Sequence, residues 1–121
     1  MKPSEIIVAD AQSNGLDPQK VMQDIALRLE SQTAVMLPKN NSVLLITPLS
    51  QDSTEWNLFT QDTGQKLVES IAYFLEQLRK AGMQTIYSMV DNEEAIQIIQ
   101  SQGVQVMQSD DPEYDWMGRI V

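Results

Sequence analysis

Residues 60–106 alternate a long helical segment with short β-forming ones, and that alternation limits the folds open to the chain. Over residues 67–80, Leu67, Ile71, Phe74, Leu75 and Leu78 recur at i, i+4, i+7, i+8 and i+11, which is one face of a helix. Glu69, Glu76, Gln77 and Arg79 cover the other face. Gly82 is placed to end this helix in a left-handed turn, with Arg79 and Lys80 at its negative end. Residues 83–90 are short, rich in β-formers and bounded by turn residues, so they read as a strand. Asp91 or Asn92 then caps a second helix whose inner face is Ala95, Ile98 and Ile99. Gly103 stops it, and residues 103–106 resume strand alternation. Such a run predicts a mixed α/β (α+β) domain, not a bundle or a sandwich.

Upstream, residues 4–13 carry Ile6, Ile7 and Ala11 and are expected to form a short helix capped by Ser4, with a strand as the alternative for Ile6-Ile7-Val8. Asp17-Pro18 is a stronger start: a capping carboxylate, then proline where its missing N–H costs nothing. Val21, Met22, Ile25, Ala26 and Leu29 follow at helical spacing. Residues 33–37 and 42–49 read as a hairpin around Pro38-Lys39-Asn40-Asn41. A turn at residues 50–53 leads to a third strand, residues 54–60. The expected sheet places this meander beside the strand of residues 83–90, with helix 67–80 packed across it. After Val106 an acidic loop, read as mobile, leads to residues 116–121, expected to be a final edge strand.

The whole chain is read as one domain, residues 1–121, able to bury a core without staples. It holds neither Cys nor His, which removes thiolate chemistry, the commonest general base and most zinc sites. A net charge of −9 argues against a nucleic-acid backbone as the main partner. No apolar run is long enough to span a bilayer and no signal peptide is visible, so neither a transmembrane nor a secreted protein is expected. The acidic cluster at residues 110–115 lacks the spacing and glycine of an EF-hand loop and is read as solvated; no metal is expected.

From residue 33 to residue 121 the element order resembles the GCN5-related N-acetyltransferase (GNAT) superfamily. That family's acyl-CoA loop follows Gln/Arg-x-x-Gly-x-Gly/Ala; here Gln61, Gly64, Gln65 and Lys66 occupy its positions, with lysine where a small residue belongs. The later pattern Asn-x-x-Ala-x-x-Leu-Tyr-x-Lys-x-Gly-Phe is met by Asn92, Ala95, Ile98, Ile99, Ser101, Gly103 and Val104, so the tyrosine, lysine and phenylalanine are missing. The resemblance implies that Gln61, Gly64, Gln65, Lys66 and Asn92 border the cofactor and that Glu55 is the general base in an active enzyme. It also implies that Lys66 crowds the pyrophosphate and that Ile99 has no proton to give the leaving thiolate, with Tyr87 and Tyr114 as substitutes. Read separately, the glycines and Asn92 are helix-boundary residues, and Glu55 and Trp56 an exposed and a buried neighbour.

The connection at residues 15–18 is similar to that of bacteriophage members of the family. The expectation is therefore a GNAT-like protein without catalysis or cofactor, acting through protein contacts as a virion or assembly component, in the virion or host cytoplasm. Homo-oligomers are open to it, and nucleic acid and membrane are not expected partners. The alternative is an acetyl-CoA-dependent N-acetyltransferase for an amine. A small interaction module pairing through the edge at residues 116–121 is the third reading.

Overall fold

A computed structural model describes residues 1–89 and 92–120. The elements run α1 (Pro3–Ser13), α2 (Pro18–Glu30), β1 (Val35–Lys39), β2 (Ser42–Pro48), β3 (Ser53–Thr60), α3 (Gly64–Lys80), β4 (Thr85–Ser88), α4 (Glu93–Ser101), β5 (Gln105–Gln108) and β6 (Trp116–Arg119). All six strands join one mixed sheet in the order β1-β2-β3-β4-β6-β5. The mixed α/β expectation, with the meander beside β4, therefore holds.

Strand alternation divides the core into two layers. On one face Leu44, Ile46, Trp56 and Ile86 meet Leu67, Ile71, Phe74 and Leu75 of α3 and Ile99 of α4. On the other, Val43 and Leu45 meet Ile6 and Ile7 of α1 and Ile25 of α2. Phe74 is fully buried, its ring edge-on to Trp56 at 6.5 Å between centroids. Side chains buried this deeply contribute about 1.5–3 kcal/mol each, which makes α3 the organiser of its layer.

Local chemistry moves several boundaries. Lys2, not Ser4, is the N-cap of α1, and its N–H donates to Glu5 Oε1 at 2.8 Å. Asp17 caps α2 as expected, accepting from Gln19 N–H at 3.0 Å. Thr33 closes the end of α2 by donating its hydroxyl to Arg28 O, so β1 starts later than expected. Pro38 and Lys39 join that strand, and Asn40 turns the chain at φ 51°. Ala26 and Leu29, expected inside, are exposed; of α2 only Ile25 is buried. The helix expected from residue 67 begins at Gly64. Gly82 ends it at φ 81°, a left-handed conformation that glycine adopts freely. Asn92 caps α4, accepting from Ala95 N–H at 3.1 Å, while Asp91 and Val90 lie outside the described residues.

The largest correction concerns the last strand. β6 is interior, antiparallel to β4 on one side and to β5 on the other. Its Trp116 and Met117 are buried, as befits a strand flanked on both sides. The edges are β1 and β5. The acidic loop is pinned as well: Asp115 N–H donates to Ser88 O at 2.8 Å, and Tyr114 is buried. Among the described residues no helix is long and apolar enough to cross a membrane.

Candidate functional site

The feature on which a site can form is a fork in the sheet. β3 and β4 run parallel, but they pair only over Ser53–Thr85, Thr54–Ile86 and Glu55–Tyr87. Beyond that β3 continues to Thr60 while β4 stops at Ser88, so the two part. A cavity of about 240 Å³ opens in the gap, lined by Trp56, Leu58, Ser88, Asn92, Glu93 and Trp116, among others. A second, of about 300 Å³, faces Asn57, Phe59 and Met89. Asp10, Asn14 and Leu58 line both, so the fork is reached from either side of the sheet.

Asp10 lies at the centre of this gap. Its Oδ2 accepts the Thr60 N–H at 2.9 Å, and Asn14 Nδ2 donates to its Oδ1 at 3.0 Å. The Thr60 amide points away from β2, because the neighbouring Gln61 N–H donates the other way, to Asn41 O. α1 thus places a carboxylate where the departed β4 would have supplied a carbonyl. Burial raises the Asp10 carboxyl above 3.8, against the opposing effect of its two donors. The sequence carried a signal for this residue: Asp10 shares helical spacing with Ile6, Ile7 and Ala11, so a polar group falls on the core-facing side.

Glu55, the base implied by the resemblance, is buried, not the exposed neighbour of Trp56. The two side chains enter opposite layers of the core. Arg28 Nη1 lies 2.8 Å from Glu55 Oε2 and also donates to Thr47 Oγ1 at 3.2 Å. The Tyr114 hydroxyl donates to Glu55 Oε1 at 3.0 Å. Burial, then the hydrogen bond and charge of Glu55, push the Tyr114 hydroxyl up to about 12. Tyr87 packs against Tyr114 at 5.3 Å and donates to Asp110 Oδ1 at 3.1 Å. Neither Glu55, Tyr87 nor Tyr114 lines the two fork cavities. Ile99, at the position of the family's tyrosine, is fully buried against α3.

The loop between β3 and α3 holds the other predicted residues. Gln61 is exposed and donates its Nε2 to Thr60 O at 2.9 Å. Asp62, unremarked in the sequence, is buried and accepts from Ser42 Oγ at 2.6 Å, Ser70 Oγ at 3.1 Å and the Asn41 N–H. It ties the β1–β2 turn to the start of α3. Gly64 stands at φ 56°, with open space where a Cβ would project. Its N–H donates to Glu94 Oε1 at 3.3 Å. Gln65 and Lys66 are exposed, and the Lys66 carbonyl accepts from Ser70 Oγ at 3.0 Å. Asn92 lines the fork from the start of α4. Among the described residues no group of three or more acidic side chains is placed to hold a metal ion.

No protein-family model matches the sequence, and no curated protein is significantly similar to it. Solved structures are similar to it in fold. Ard1 from Thermoplasma volcanium superposes with a TM-score of 0.55 at 13% identity, over 98% of this chain and 90% of that one. The Campylobacter jejuni N-acetyltransferase PseH, solved in complex with acetyl coenzyme A, gives 0.58 at 12% identity over the same shares. The fold is GNAT-like. A diphosphate cofactor meets one obstacle in this chain: a carboxylate already meets the first amide of α3.

Proposed function

We propose that this chain is a GNAT-fold protein that acts through protein contacts and does not transfer acetyl groups. The observation that carries the reading is the Arg28–Glu55–Tyr114 cluster. The one carboxylate suited by family position to be a base is held in an ion pair, away from the fork. Its tyrosine partner holds its proton more tightly than an ordinary tyrosine, opposite to what a proton donor needs. Ile99 supplies no replacement. The edges left for contacts are β1 and β5; β5 is uncharged, free of proline and exposes Met107. A role in a bacteriophage virion or its assembly extends this reading from the likeness at residues 15–18, and neighbouring portal or capsid genes would support it. A thiol-release assay with acetyl-CoA and a panel of primary amines tests the reading. The expected result is no turnover above background, and measurable turnover would overturn it.

One observation favours the N-acetyltransferase reading. The fork is retained, and Asp10 and Glu93, which line it, supply negative charge that would attract an amine. Under that reading Asp10→Asn lowers turnover in the same assay.

A further inference from the structure

We infer that the chain closes the N-terminus of α3 to a diphosphate by supplying a carboxylate of its own, Glu94, at that position. The inference concerns cofactor binding and goes beyond the proposed loss of the transfer step. A helix of 17 residues presents unpaired N–H groups and partial positive charge at its start, which attract an anion. Here that attraction is met from within. Glu94 Oε1 accepts from Gly64 N–H at 3.3 Å, and the buried Asp62 sits just upstream of the same turn. The position of Glu94 is not accidental to its side chain. It is the second residue of α4, whose first turn is fixed by the Asn92 cap on Ala95 N–H. An incoming diphosphate would have to displace the Glu94 carboxylate from the Gly64 N–H, with Lys66 as the cation of that turn. The exclusion is therefore one of charge and hydrogen bonding. Nothing lies within 4 Å of a Cβ built on Gly64, so no neighbour crowds that side of the residue.

Amide chemical shifts of Gly64 and Gln65, followed by NMR during titration with inorganic pyrophosphate and then coenzyme A, test this directly. The wild-type chain should give no saturable shift. Glu94→Ala should give one that saturates, and Glu94→Gln should lie between the two. Lys66→Gly, which removes bulk but leaves the carboxylate, should stay unresponsive. Saturable shifts in the wild type would overturn the inference. So would a Glu94→Ala protein whose other amide shifts are native and which still ignores both probes, or a gain confined to Lys66→Gly. Glu94 is exposed, so these variants retain the fold. Coenzyme A binding by the wild type without acetyl transfer would sink this inference and leave the proposed function standing.

Discussion

At Tyr114 a single hydroxyl joins the acidic loop to the interior of the sheet, and its chemistry sets a pH signature. Removing it with Tyr114→Phe leaves Glu55 Oε1 short of a buried donor and should destabilise the protein by about 1–2 kcal/mol in urea melts at neutral pH. The folded-state value of about 12 lies above the ordinary 10.0, so the folded protein holds this proton more tightly than the unfolded chain. That stability is fully present below 10.0 and is lost as pH rises towards about 12. The phenylalanine variant should lack this part of the alkaline loss. Asp10 has the same sign with a different consequence. Its raised carboxyl favours the protonated form in the fold, so ionisation at neutral pH works against stability. Asp10→Asn keeps an oxygen for the Thr60 N–H and should be more stable than wild type at pH 7. That advantage should vanish below the ordinary value of 3.8, and equal melts at both pH values would show that Asp10 is not strained by its burial.

Among the elements, α3 and β6 show what local pattern does and does not encode. The inner face of α3 was legible because helical spacing sorts Leu67, Ile71, Phe74, Leu75 and Leu78 together, and all five are buried. Phe74→Ala should cost about 3–5 kcal/mol by emptying that layer, whereas Glu69→Ala on the exposed side should stay within about 0.5 kcal/mol. Comparable losses in denaturant melts would contradict the assigned face. The place of β6 was not legible, because alternation along a strand says nothing about which strands flank it. Its Gly118 records the answer only in three dimensions. A Cβ there would stand 2.8 Å from Val104 Cγ1 and 3.2 Å from Ile86 Cγ1, both stiff β-branched side chains. Gly118→Ala should therefore destabilise by about 1–3 kcal/mol through overpacking. The candidate site was legible in part for a related reason. Gln61, Gly64 and Asn92 sit in adjacent motifs, but Glu55 meets Arg28 and Tyr114, and Gly64 meets Glu94, only through the tertiary fold.

At the scale of the whole molecule, two apolar layers enclose a sheet whose chain carries 17 acidic and 8 basic side chains and no histidine. With cysteine absent too, no side chain has an ordinary pKa between the carboxylates and the tyrosines and lysines. The perturbed groups do not fill that gap: Tyr87 and Tyr114 move upward, away from neutrality, and Asp10 starts from 3.8. Stability changes with pH only where the folded and unfolded chains bind different numbers of protons. Unfolding free energy from urea melts should then stay level to within about 0.5 kcal/mol between about pH 6 and 9. Above that window Tyr114 would begin to lose its proton. Adding salt should raise the plateau slightly, since screening relieves the repulsion of nine excess negative charges without touching the buried contacts. A sharp transition near pH 7 in the isolated chain would contradict this account. It would mean that a buried carboxylate such as Asp10 titrates far above its ordinary range, and Asp10→Asn would then abolish that transition.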